Sequence, residues 1–273
     1  MSERNSRGQL SGQEARDALR RSAPRAAVVF EAIRYEAVEE LERHNTALFW
    51  SGLAAGLSMG FSFIAEALLQ AALPDTPWRP LVSKLGYSVG FMIVILGRQQ
   101  LFTENTLTPV IHVLRERKLA VMWNALRLWG VVLAANILGT LIFGVGLYFT
   151  DVFDPAQTAA LGSVAAHAVA GSFWNTFVSA LFAGWLIALM VWLLPAAETA
   201  RVGVIVIITY LVGVGGFSHI IAGSAQVFYA LAADATSVTA ALSNFFLPTL
   251  LGNVIGGVAL VAALNYAQVS PDE

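Results

Sequence analysis

The sequence has no cysteine and little charge. Without cysteine the chain has no disulfides, thiolate nucleophiles or thiolate metal ligands. Charged residues make up 12% of its 273 residues, about half the share of a typical soluble domain, and the net charge of -2 offers no basic surface to nucleic acid. Hydrophobic residues make up 57%. Because a transmembrane helix takes about 20 mostly apolar residues, this composition predicts a membrane protein with several spans.

The charge that the chain does carry is concentrated at its amino end. Residues 1–46 hold eight arginines: Arg4, Arg7, Arg16, Arg20, Arg21, Arg25, Arg34 and Arg43. The apolar residues between Ala26 and Leu41 recur at near-helical spacing, which predicts an amphipathic helix on the membrane surface or against a partner. We therefore expect a charged segment over 1–46, a transmembrane domain over 47–266 and a short tail over 267–273.

Six apolar blocks follow the charged segment. They cover residues 47–73, 81–116, 121–149, 165–194, 201–231 and 242–266. The second block is interrupted by GRQQLFTENT at 97–106 and the fifth by GVGGFSH at 213–219. Polar and glycine-rich stretches of this kind predict that these two spans are broken helices.

The blocks repeat. Phe49, Ser51, Leu53, Ala55 and Gly56 of the first recur 128 positions later in the fourth, and Asn136 and Gly139 of the third recur 117 positions later in the sixth. Each half then has three spans, so the second half crosses the membrane inverted. The sequence predicts an all-α membrane protein of six transmembrane helices in two inverted three-helix repeats, with the two broken helices facing each other.

Lysine and arginine set the expected orientation. If the amino end is cytoplasmic, that side receives the eight arginines together with Arg115, Arg117, Lys118 and Arg201. The loops on the opposite side hold Arg79 and Lys84. The positive-inside rule therefore predicts cytoplasmic amino and carboxyl termini.

The breaks are candidate pore elements, because backbone groups exposed at bilayer depth must line a polar cavity or be buried in protein. A helix that restarts after a break presents the positive end of its dipole, which attracts an anion. His219, in the second break, could bind such an anion as a neutral donor, lend it a proton, or simply bond to a nearby carbonyl. In the first break, Leu101, Phe102 and Thr103 suit either a constriction with a hydrogen bond beyond it or a packed loop.

Intramembrane charge and amides also need partners. We expect Arg98 to pair with Glu104 or Glu66, or else to attract anions at the pore mouth. Asn136 and Asn253, at equivalent places in the two halves, are expected to hydrogen-bond to the breaks.

Three motifs resemble the formate/nitrite transporter family: LFT at 101–103, GFSHIIA at 216–222 and LGNVIGG at 251–257. The resemblance extends from Phe49 to Tyr266 and is strongest to a less characterised branch typified by a bacterial inner-membrane protein. It implies an aquaporin-like protomer in a homopentamer of the bacterial inner membrane, with a pore in each protomer for small monovalent anions such as formate, nitrite or hydrosulfide.

The resemblance also implies roles for individual residues. His219 matches the central histidine and Thr103 the hydroxyl that faces it, while Leu101 and Phe102 match one constriction. The positions of Tyr87 and Phe91 correspond to pore lining, Val212 lies at the second constriction, and Ser218 replaces the usual glutamate before the histidine.

Other functions remain open at this point. A neutral-solute channel would share the broken helices, although the paired NPA motifs of aquaporins are missing from the sequence. A membrane scaffold or sensor could keep the fold without conducting, with the amino-terminal segment as its working part. No nucleophile–base pair, phosphate loop or metal-ligand spacing occurs, so we expect no enzyme, cofactor or metal site.

Overall fold

The computed structural model of the protein describes residues 12, 13, 16 and 22–269. Arg4, Arg7, Arg20 and Arg21 of the predicted charged segment, and positions 270–273 of the predicted tail, lie outside the described residues. Within the described part of the chain every regular element is a helix, and there is no strand.

Together with short 3₁₀ helices at Glu104–Thr106 and Glu198–Ala200, ten helices make up most of the bundle within this described part. They are α1 (Ala26–Glu42), α2 (Asn45–Ala72), α3 (Arg79–Leu96), α4 (Thr108–Glu116), α5 (Leu119–Tyr148), α6 (Pro155–Val169), α7 (Phe173–Ala196), α8 (Arg201–Val214), α9 (Ile220–Ala232) and α10 (Val238–Val269). Helices α2, α3, α5, α7 and α10 are long and apolar enough to cross a bilayer, and α9 is a shorter apolar helix. We call the side of the bundle that carries α1 the amino-terminal side and the other the far side.

The helices follow the predicted blocks except at the start of the fourth. Residues 165–169 belong to α6 rather than to the fourth span, which begins at Phe173. Asp154 starts α6 with a capping box, in which the Asp154 side chain accepts from the backbone N–H of Gln157 and the Gln157 side chain accepts from the backbone N–H of Asp154. The alanine-rich apolar run of α6 therefore forms a separate short helix before the span.

Both predicted breaks are present, and both begin with the same backbone turn. After α3, the N–H of Arg98 bonds to the carbonyl of Ile95, and that of Gln99 bonds to Val94. After α8, Gly216 and Phe217 make the equivalent bonds to Gly213 and Val212. This is a Schellman motif, whose key residue takes the left-handed conformation. Arg98 has a φ of 53° and Gly216 one of 60°, so the arginine occupies a place that suits glycine.

Each three-helix repeat is held by close backbone packing at glycine. A Cβ on Gly56 of α2 would strike the carbonyl oxygen of Asn136 on α5, and a Cβ on Gly184 of α7 would strike that of Asn253 on α10. The same close backbone contact thus joins the first and third spans of each half. Because two spans lie between α2 and α7 and successive spans alternate in direction, the two helices run in opposite directions, as inverted repeats require.

Helix α1 lies against the bundle itself. Its buried residues are Val29, Phe30, Ile33, Ala37 and Leu41. Phe30 and Ile33 share an apolar cluster with Leu107 and Ile111, around α4, and with Val261 on α10. At the turn into α2, Arg127 of α5 donates to the Leu41 carbonyl and to Asn45 Oδ1, both at 2.7 Å. The apolar face of the predicted amphipathic helix therefore packs on this chain.

The left-handed conformation at Arg98 predicts different stabilities for two substitutions. Arg98→Gly and Arg98→Ala both remove the arginine side chain, but glycine alone adopts this conformation without steric cost. We expect the glycine variant to be more stable than the alanine variant by about 1 kcal/mol, measured by thermal unfolding in detergent. Equal melting of the two variants would show that the turn is not strained.

Candidate functional site

The two breaks meet at a buried contact between Thr103 and His219. His219 is the N-cap of α9: its Nδ1 accepts from the backbone N–H of Ala222 at 3.1 Å. Its Nε2 lies 2.8 Å from Thr103 Oγ1. Because a ring nitrogen that accepts a hydrogen bond carries no proton, the neutral ring holds its proton on Nε2. The Nε2–H group then donates a hydrogen bond to Thr103 Oγ1. A doubly protonated ring would lose the capping bond.

Aromatic and aliphatic side chains surround this contact. The Phe91 ring packs edge-on to the His219 ring, with centroids 5.0 Å apart, and Tyr87 packs on Phe91 at 5.4 Å. Leu101 and Phe102 are buried next to Thr103 in the sequence and belong to the same apolar cluster as Phe91 and Val212. The structure thus gathers the seven residues for which a pore role was predicted around the meeting point of the breaks.

Asn136 holds the first break. Its Oδ1 accepts from the backbone N–H of Phe102 at 2.9 Å. Its Nδ2 donates to the carbonyl of Gln100 at 2.9 Å and, on α2, to that of Gly52 at 2.7 Å. One side chain therefore satisfies two backbone groups of the break and ties them to the first span.

Asn253 holds the second break in the same way. Its Oδ1 accepts from the backbone N–H of Ile220 at 2.8 Å, and its Nδ2 donates to the carbonyls of Ser218 and Ala180, both at 2.9 Å. Ser179 adds a further contact, because its hydroxyl accepts from the backbone N–H of Ser218 at 3.0 Å. The two asparagines are structural equivalents that fix the breaks relative to their own repeats.

A cavity of about 320 Å³ reaches His219 from the far side. Its polar lining comprises Lys84, His167, Asn175, Thr176, Ser179, Ser218, His219 and Gln226. Tyr87, Val212 and Phe245 contribute its apolar and aromatic lining. Lys84, Asn175 and Thr176 were not among the predicted site residues. Their signal was weak: one lysine inside an apolar block and an Asn-Thr pair near the start of a span.

A second cavity, of about 160 Å³, lies on the amino-terminal side. Its charged lining comprises Glu36, Glu40, Arg98, Glu104 and Arg201. Burial raises the pKa of the Glu40 carboxyl above its ordinary value, although its hydrogen bond with Arg43 acts in the opposite direction. No described residue lines both cavities, and the buried Leu101 and Phe102 line neither.

The predicted pairing of Arg98 is wrong. Arg98 Nη1 bonds to Glu36 Oε1 of α1 at 3.1 Å, and Glu66 pairs with Lys84 at 2.5 Å. Glu66 lies in the far half of α2, whereas Arg98 faces the amino-terminal side, so the two are on opposite sides of the bundle. Lys84, which the sequence analysis assigned to a loop, lies within α3 and lines the far-side cavity.

Comparisons with known proteins agree with this architecture. The formate/nitrite transporter family model matches residues 27–267. The inner membrane protein YfdC of Escherichia coli (strain K12) is 40% identical over 91% of this chain and 80% of its own length. Formate channel FocB of the same organism is 27% identical over 83% of this chain and 88% of its own. A solved structure described as a pentameric formate channel with formate bound superimposes with a TM-score of 0.69 at 21% identity, over 83% of this chain and 98% of that one.

These matches confirm the family resemblance, the aquaporin-like all-α membrane fold, and a transport rather than an enzymatic activity. Together with the apolar spans, they support a bacterial inner membrane protein.

The hydrogen bonds of Asn136 predict the effect of an isosteric change. Asn136→Asp keeps the shape but replaces two donors with an oxygen that faces two carbonyls. We expect a loss of stability of about 2–4 kcal/mol, since each buried group left unsatisfied costs about 1–3 kcal/mol. Thermal unfolding of the purified protein measures it. Asn244→Asp, where the side chain accepts from the nearby Ser243, is the matched control and should melt like the wild type.

Proposed function

Because the chain belongs to the formate/nitrite transporter family, we propose that each protomer passes small monovalent weak-acid anions, such as formate, nitrite or hydrosulfide, through a pore beside His219. The observation that carries the proposal is the 2.8 Å contact between Thr103 and His219 where two broken helices meet. A cavity reaches this contact from the far side, and a second cavity approaches it from the amino-terminal side.

The centre of the pore favours a negative charge without holding a fixed positive one. His219 caps the amino end of α9, where the helix dipole is positive. Its Nε2–H is the donor that a passing anion would take over from Thr103, and the released threonine hydroxyl becomes a second donor. Both donors are neutral, so an anion can be stabilised there and still leave.

The capping bond argues for a neutral donor over proton lending. To lend a proton, His219 would first have to be protonated on Nδ1, and that nitrogen accepts from Ala222. Protonation would therefore break the cap of α9. In our proposal the ring stays neutral, and any proton that accompanies the anion travels with the anion itself.

The apolar side chains around His219 form the constriction. Phe91, Leu101 and Phe102 are almost fully buried and line neither cavity, so in our proposal they form the barrier between the two. An anion that enters this region must shed water, which favours a single charge over a multiple one, and the narrow passage favours a small ion. The donors beyond the constriction then replace part of the lost hydration.

We extend the proposal to the assembly and its orientation. A homopentamer is supported by the solved structure described as pentameric and by an apolar groove of about 720 Å³ on the outer surface of α5, α9 and α10. Cytoplasmic termini are supported by the cations on the amino-terminal side, including Arg115, Arg117, Lys118 and Arg201. The segment 1–46, with α1, then lies on the cytoplasmic side of a channel domain over 47–266.

Removal of the Thr103 hydroxyl tests this function. Thr103→Val keeps the size of the side chain but removes the hydroxyl that contacts His219. We expect this variant to lower formate flux into proteoliposomes at least tenfold, because a hydrogen bond to a charged group contributes about 1.5–3 kcal/mol. Thr249→Val is the matched control. Thr249 is buried, but its hydroxyl has no partner among the described residues, so flux should be unchanged.

The outcomes separate the competing functions. Equal flux in the wild type and Thr103→Val would place the permeation path elsewhere. A wild type that passes glycerol but none of the three anions would be a neutral-solute channel. A wild type that passes neither would be a scaffold or sensor.

A further inference from the structure

The wall of the far-side cavity contains an ion pair that the pore described so far does not use. Lys84 Nζ bonds to Glu66 Oε1 at 2.5 Å. The lysine side chain is 22% exposed and lines the cavity, whereas the glutamate side chain is 2% exposed and lies behind it. The pair therefore presents its positive end to the cavity and its negative end to the protein.

Lys84 can contact a second partner while it holds the first. An ammonium group has three N–H donors, and the bond to Glu66 uses one. Asn175 and Thr176 line the same cavity and can donate as well. Lys84 is also the one Lys, Arg, Asp or Glu among the described residues that line this cavity. It therefore presents the one ammonium, guanidinium or carboxylate group of the described lining to an ion in the cavity.

The pair is suited to brief rather than tight binding. A full, unpaired positive charge in a cavity would retain an anion, whereas conduction requires a site that binds an ion and releases it. Glu66 offsets part of the ammonium charge, and its second oxygen, Oε2, is buried with no hydrogen-bond partner in the described part of the chain. The carboxylate is therefore directed to Lys84, whose position and field it sets.

We infer that Lys84 is a docking residue for the anion, which pairs with its ammonium group in the far-side cavity before it reaches His219, and that Glu66 is the positioning residue that keeps this binding weak. The inference rests on the proposed function. The expected ligand is a small monovalent anion such as a short carboxylate.

The test measures formate uptake into proteoliposomes as a function of formate concentration, at low and high ionic strength. Lys84→Met should raise the half-saturation concentration roughly tenfold and remove most of its salt dependence, because a cavity charge enriches anions by this factor or more. Glu66→Gln should do the opposite: a lower half-saturation concentration and a lower maximal rate. Lys118 is the other lysine of the chain and lies exposed beside Glu116 on the amino-terminal side, so Lys118→Met is the matched control.

A double variant separates docking from structural support. Lys84→Met alone leaves a buried carboxylate unpaired and can misfold, whereas Lys84→Met with Glu66→Gln removes both charges together. If Lys84 docks the anion, the double variant folds but keeps the raised half-saturation concentration. If the double variant regains wild-type uptake, Lys84 only neutralises Glu66 and the inference is overturned. A wild type without anion flux would instead overturn the proposed function, and the inference with it.

Discussion

A backbone that breaks inside a bilayer must find partners for its amide and carbonyl groups within the protein, since each unsatisfied group costs several kcal/mol in hydrocarbon. In this chain two asparagines meet that requirement. Asn136 and Asn253 each accept one N–H of a break, donate to one of its carbonyls and anchor it to the first span of the same repeat. The positions of Thr103 and His219, and the cavities on either side of them, depend on these bonds.

The site then combines neutral donors at its centre with charge at a distance. His219 and Thr103 are uncharged hydrogen-bonding groups in an apolar constriction, whereas Lys84 and Glu66 lie in the wall of the far-side cavity. The amino-terminal cavity has a different character, with three glutamates, Arg98 and Arg201 in its lining and with α1 joined to the first break through the pair of Glu36 and Arg98. An anion that enters from the far side on our proposed path first meets the ammonium group of Lys84, then the neutral donors of His219 and Thr103, and finally the mixed charges of the amino-terminal cavity.

The breaks could be located from the sequence because glycine and polar runs inside apolar blocks are a local signal. Asn136 could be related to Asn253 because the repeat shows identical residue types at a fixed offset. The charges could not be paired from the sequence. Arg98 is 62 positions from Glu36, and Glu66 is 18 positions from Lys84 across a turn, so the partners depend on how helices pack and not on spacing. The start of the fourth span was predicted wrongly for a related reason. The apolar residues 165–169 suit the end of a short preceding helix as well as the start of a span, and hydropathy does not distinguish the two.

In our proposal the two breaks meet in the membrane and lie between two cavities that open on opposite faces. The chain has no cysteine, so single cysteines can be introduced and labelled with a membrane-impermeant thiol reagent from either side of a vesicle. The account predicts that Thr176→Cys reacts from one face, Gln99→Cys from the other and Phe102→Cys slowly or not at all. Labelling of positions 176 and 99 from the same face would contradict it.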